Sequence, residues 1–108
     1  MVIIETSIFT KIIKTLLSDD EYRELQEALI KVPTSGKIIT GSGGIRKARW
    51  RLQGRGKSGG ARIIYYWATR ESQIFMLFAY PKNEMENLTK EQLSILKKAV
   101  ETEFNNEK

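Results

Sequence analysis

Apolar residues return along this chain at two periods, and the change from one to the other divides it. Ile8, Phe9, Ile12, Ile13, Leu16 and Leu17 fall on one side of a helical period. Thr6 or Ser7 is placed to cap that helix, and Val2-Ile3-Ile4 before it is a short β-type run. Ser18-Asp19-Asp20-Glu21 spells a capping box, in which the Ser hydroxyl and the Glu carboxylate reciprocally satisfy backbone N–H groups of the first turn. Leu17 and Tyr22 stand at the staple positions around it. A second helix follows, with Tyr22, Leu25, Ala28, Leu29 and Val32 on one side, and Pro33 ends it. Thr34 to Gly44 reads as a loop.

Period two then takes over. From Ile45 to Leu52 the residues alternate: Lys47, Arg49 and Arg51 point one way, Ala48, Trp50 and Leu52 the other. That is a half-buried strand with a cationic outer face. Gln53 to Gly60 is a glycine-rich connection. Arg62 to Ala68 is β-branched and aromatic, as a central strand is, and Gln73 to Tyr80 is another apolar strand. The turn between them, Thr69 to Ser72, is so short that the pair must be antiparallel. Thr89-Lys90-Glu91-Gln92 is a second capping box. It opens a terminal helix with Leu93, Leu96, Val100 and Phe104 as its apolar stripe. The predicted order is β-α-α-β-β-β-α: an α+β fold, its antiparallel sheet packed against an N-terminal helical hairpin and a C-terminal helix. The 108 residues are expected to form one domain, 1–108.

Charge sharpens this picture. The formal net charge is +5, but residues 28–70 hold ten Lys and Arg and no acid, while the rest of the chain holds eight bases against 13 acids. All eight glycines lie in the same middle stretch. A cationic segment between acidic, helix-rich ends points to a polyanion. Side chains two apart on a strand are spaced by about 6–7 Å, close to the step between phosphates on an extended nucleic-acid strand. One basic edge could track one backbone. Arg46, Arg49 and Arg51 on the strand, with Arg55 and Lys57 in the glycine loop, are the expected RNA contacts.

Histidine and cysteine are both absent. Disulfides, Cys/His zinc sites and Ser-His-Asp or Cys-His nucleophile systems are therefore excluded. Gly54-Arg55-Gly56-Lys57-Ser58-Gly59 matches a G-x-G-x-x-G pattern, but a dinucleotide site needs a helix directly after it and here a strand follows. Most of the aromatic residues belong to the core by pattern. Tyr80 is the exception, at the end of a strand beside Pro81-Lys82-Asn83-Glu84, where side chains leave the core. Met1 to Glu5 is too short and too soon charged for a signal peptide, and no apolar run nears the roughly 18–20 residues that span a bilayer. A cytoplasmic protein without membrane partners is expected.

Four segments together resemble the RelE/ParE superfamily of bacterial toxins, and within it the HigB-like ribosome-dependent endoribonucleases. They are Leu17-Ser18-Asp19-Asp20-Glu21-Tyr22, Gly41-Ser42-Gly43-Gly44-Ile45-Arg46-Lys47, the run from Gly56 to Tyr66, and Tyr80-Pro81-Lys82-Asn83-Glu84. The likeness spans roughly residues 2–103. It implies a RelE-like fold and an enzyme that cuts mRNA in the A site of the small ribosomal subunit, with no cofactor and no metal. It also implies a cognate HigA-like antitoxin with a helix-turn-helix domain, through which alone the complex would reach operator DNA. Arg62 matches the family's arginine at the scissile phosphate. Lys47 and Arg49 match bases that contact RNA and, in some members, move protons; Lys82 matches a basic residue after the last strand. Where some members carry a tyrosine further along that loop, Leu88 stands here, so the general base stays open between Glu84, Tyr80 and Lys47. Two rival readings keep the fold: a ParE-like poison of DNA gyrase, and an RNA-binding module without catalysis.

Overall fold

A computed structural model describes residues 1–51 and 60–105 of the chain. Strand β1 (Val2–Glu5) leads through Thr6 into helix α1 (Ser7–Leu16), and Leu17 and Ser18 lead into α2 (Asp19–Lys31). Thr6 caps α1: its hydroxyl oxygen accepts from the Phe9 N–H at 3.0 Å and its O–H donates to the Leu77 carbonyl at 2.9 Å. The cap thus fixes the helix to the sheet as well as starting it. Both arms of the Ser18–Glu21 box are made, at 2.8 and 3.1 Å, and both arms of the Thr89–Gln92 box, at 2.8 and 3.0 Å. Val32 closes α2 ahead of Pro33.

Four more strands come next: β2 (Lys37–Ile38), β3 (Ile45–Trp50), β4 (Ala61–Ala68) and β5 (Gln73–Pro81); α3 (Lys90–Asn105) comes last. They form one five-stranded sheet in the order β1-β5-β4-β3-β2. The α+β architecture and the flanking helices agree with the sequence reading. The wholly antiparallel sheet does not. β1 runs parallel to β5, pairing Val2 with Gln73 through Glu5 with Met76. The two strands are joined through everything from α1 to β4, so no short turn dictates their direction. β2 is an addition too: two residues of the expected loop pair with β3, Lys37 opposite Lys47 and Ile38 opposite Arg46.

The sheet has a core on each face. On one, Phe9, Ile13 and Leu16 of α1 and Leu25 and Leu29 of α2 meet Ala48, Ile63, Tyr65 and Met76. On the other, Leu96 and Val100 of α3 meet Ile45, Ile64, Phe75 and Leu77. The Phe104 ring lies 5.6 Å from Tyr66 and 5.7 Å from Phe75.

The pairing of β4 with β5 is broken at one point. Ile64 pairs with Phe78 but Tyr65 pairs with Met76, so β5 carries one extra residue, Leu77. Along β5, Phe75, Leu77, Phe78 and Tyr80 then join the α3-side core, while Met76 and Ala79 join the other. The bulge resets the alternation and turns Tyr80 to the face it occupies.

Candidate nucleic-acid interface

Three rows of side chains cross the α3-side face of β3, β4 and β5. The first is Ile45–Tyr66–Phe75, the second Lys47–Ile64–Phe78, the third Arg49–Arg62–Tyr80. The rows become more polar in that order, over four positions of β3 and β4 and five of the bulged β5. α3 covers the first. Beside the others lies the segment 82–89, whose Met85 and Leu88 pack on the same core.

The third row is where charge concentrates. Arg62 is only 7% exposed and Arg49, directly across from it, is exposed. Arginine is rarely buried this far, and like charges facing one another across a ladder are destabilising. An arrangement that sets two guanidinium groups opposite each other gains when an anion sits between or over them. Arg62 Nη1 donates to the Ala61 carbonyl at 3.4 Å.

Tyr80 completes the row and is 3% exposed. Its hydroxyl donates to the Glu86 carbonyl at 3.3 Å. Burial pushes the phenol above its ordinary value; the Arg62 guanidinium pulls it back, and Glu86 pushes it up. At neutral pH the phenol keeps its proton, as an unshifted tyrosine would, and the shift moves its ionisation further away.

Gly60 sets the entry into β4. Its φ is +56°, and a Cβ there would lie 2.3 Å from the Trp50 carbonyl oxygen, so only glycine fits. Its carbonyl accepts from the Lys82 N–H at 2.9 Å. That bond seats Lys82, half-buried, beside the Ala61–Pro81 pair and one step beyond the Arg62 row. Lys47, half-buried on the second row, donates from Nζ to Asn87 Oδ1 at 2.8 Å.

The expected site residues separate accordingly. Lys47, Arg49, Arg62 and Tyr80 share one face, with Lys82 at its end. Arg51 comes directly after β3 and is exposed. Glu84 lines a groove of about 500 Å3 with Tyr80, Ile12, Leu16, Phe78 and Met85. Arg46 goes elsewhere. It alternates with Lys47 onto the α1–α2 side, and its Nη1 donates to the Gly36 carbonyl at 2.7 Å, holding the turn before β2. Tyr65 grips the same turn, accepting from Gly36 N–H and donating to the Pro33 carbonyl. Arg55, Lys57 and the surrounding glycine motif lie outside the described residues.

Two residues of this site escaped the sequence reading: Asn87 and Glu86. Neither sits in a periodic pattern, and Asn87 meets a lysine 40 positions away. The peptide carbonyl of Glu86, which any residue type would supply, left no sequence signal at all.

Among the described residues no helix is long and apolar enough to cross a membrane. The model of a protein family described as the RelE toxin of the RelE/RelB toxin–antitoxin system matches residues 1–108.

Proposed function

The chain belongs to the RelE toxin family, matched from end to end, and from that premise we propose that it is a ribosome-dependent endoribonuclease of the HigB-like kind. The observation that carries this reading is the Arg49–Arg62–Tyr80 row with Lys47 beside it. A nuclease without histidine needs a substrate that brings its own nucleophile. RNA does: the 2′-OH attacks the adjacent phosphorus, the O2′–P bond forms, and the P–O5′ bond breaks. The products are a 2′,3′-cyclic phosphate and a 5′-OH.

The protein's share is electrostatic and positional. Arg62, with Lys82 near it, faces the charge that grows on the phosphate; one preorganised donor of this sort is worth about 10²–10³ in rate. Arg49, Arg51, Arg55 and Lys57 contact the RNA backbone. Tyr80, protonated at neutral pH, donates a hydrogen bond or a proton. The 2′-OH proton then goes to the Glu84 carboxylate, and the 5′ oxygen recovers one on leaving, from the Tyr80 phenol or the Lys47 ammonium. Orientation of the mRNA in the A site supplies much of the rest, since positioning contributes up to ~7–11 kcal/mol in favourable cases.

The partner of a toxin in such a pair is an antitoxin. Here it is read as a HigA-like protein whose helix-turn-helix domain takes the complex to operator DNA. Inducible expression in bacteria, with mapping of mRNA 5′ ends, tests the whole reading. Wild type should arrest growth and leave 5′-OH ends phased to codons, unless the antitoxin is co-expressed. Arg62→Ala should lower cleavage by about 10²–10³ and release the arrest. Arrest with DNA damage and no new mRNA ends would move the protein to the gyrase poisons. RNA binding with neither effect would leave it a binding module.

A further inference from the structure

The hydrogen bond from Lys47 Nζ to Asn87 Oδ1 joins the middle of β3 to the segment after β5. Both neighbours of Asn87 are pinned. The Glu86 carbonyl takes the Tyr80 hydroxyl, Leu88 packs in the α3-side core, and Thr89 begins the capping box of α3. Asn87 is therefore offered from an anchored stretch, although its own side chain is in water.

The chemistry of the acceptor is the telling part. A lysine stem left alone spreads its ammonium over many rotamers. A carboxylate at this place would fix it but would also form an ion pair and cancel the attraction for a phosphate. An amide oxygen fixes it and leaves the full charge in place. The sequence around Asn87 is acidic, with Glu84 and Glu86 close by, yet the atom that meets Lys47 is neutral.

We propose that Asn87 is the positioning residue for Lys47: its amide oxygen holds the ammonium beside the Arg49–Arg62–Tyr80 row with its charge still available to an RNA phosphate. This rests on the reading of that row as an RNA-cleaving site.

Single-turnover cleavage of mRNA on programmed ribosomes tests it with Asn87→Ala, Asn87→Asp, Lys47→Ala and the Lys47→Ala/Asn87→Ala double variant. Asn87→Ala should lower the rate at saturation by about 3- to 10-fold, the size of one solvent-exposed hydrogen bond. It should add nothing on the Lys47→Ala background. Asn87→Asp keeps the geometry and adds the charge, so its saturated rate should stay near wild type while half-saturation shifts to higher ribosome concentration. Equal losses from Asn87→Ala with and without Lys47, or no loss at all, would overturn the proposal. A second readout stands apart from cleavage: the side-chain 15N–ammonium NMR signal of Lys47 in the full chain. It should be protected in wild type and Asn87→Asp and lost to exchange in Asn87→Ala. Should wild type cut no mRNA, the functional reading falls, and this signal still decides the Asn87–Lys47 link: an unchanged signal in Asn87→Ala refutes it.

Discussion

Compare the first and third rows on the face that α3 packs against. At Ile45–Tyr66–Phe75 the three strands present apolar side chains to α3, and the Phe104 ring lies against two of them, tilted to Tyr66 and edge-on to Phe75. Four residues along β3 and β4, Arg49–Arg62–Tyr80 carries two guanidinium groups and a phenol, and the phenol reaches the Glu86 carbonyl in the segment 82–89. Strand, face and sheet are shared; what covers them differs. A helix with an apolar stripe makes one end a core. A polar loop makes the other a place where buried charge can be held and used. The first end is built to be stable. The third row sets Arg49 across from Arg62, and like charges at such positions work against the fold.

That contrast can be broken in order of size. Phe75→Ala should cost ~3–5 kcal/mol of unfolding free energy, read by urea denaturation, while the folded fraction still cleaves RNA at the wild-type rate. A cleavage defect as deep as that of Arg62→Ala would show that the two ends are not separable.

The pH dependence gives a second, more graded measure. Tyr22, on the α1–α2 side, is held well above its ordinary value by burial and by its hydrogen bond to Glu5; Tyr80 is raised chiefly by burial. In both, the folded state prefers the protonated phenol. Their contribution to stability is therefore complete below 10.0, the value in an unfolded chain. Above it the unfolded chain loses these protons first, and stability falls as pH climbs toward the folded values. Unfolding free energy measured from neutral pH up to about 11 should decline in wild type. The decline should flatten more in Tyr22→Phe, whose group is held the more strongly, than in Tyr80→Phe. The reverse order would mean that the third row is the more rigidly buried end.

Arg49→Ala carries the smallest effect and the sharpest sign. It should lower the salt dependence of RNA binding by about one phosphate contact. It should also raise stability by ~0.2–1 kcal/mol, because it relieves the pair with Arg62. Loss of stability would mean that the two guanidinium groups do not oppose each other in the free protein.

Much of this molecule is legible in the sequence alone. Capping boxes at Ser18 and Thr89 and the stop at Pro33 are local chemistry, complete within a few residues, and the helices begin and end there. Alternation through Ala48, Arg49 and Trp50 marks which side of β3 faces outward. The same alternation puts Arg46 on the other face from Lys47, where it meets the Gly36 carbonyl. The parallel β1–β5 pair and the two-residue β2 are hidden for another reason: each depends on a partner far along the chain, and each is too short to carry a pattern. Asn87 is hidden likewise, since a loop residue meeting a distant lysine leaves no periodic trace.

The extra residue in β5 has a consequence for how this chain tolerates change. Phe75 and Tyr80 are an odd number of positions apart, so strict alternation would put them on opposite faces; the bulge at Leu77 returns Tyr80 to the face of Phe75 and Arg62. Were the ladder to run straight with no residue removed, Ala79 would stand across from Arg62 and Tyr80 would turn toward α1. The positions between are all apolar, so a hydropathy profile would not register the change. Taking Leu77 out, by contrast, leaves a regular ladder with Tyr80 still across from Arg62: the strand can lose the extra residue and keep the row, but it cannot keep the residue and lose the bulge.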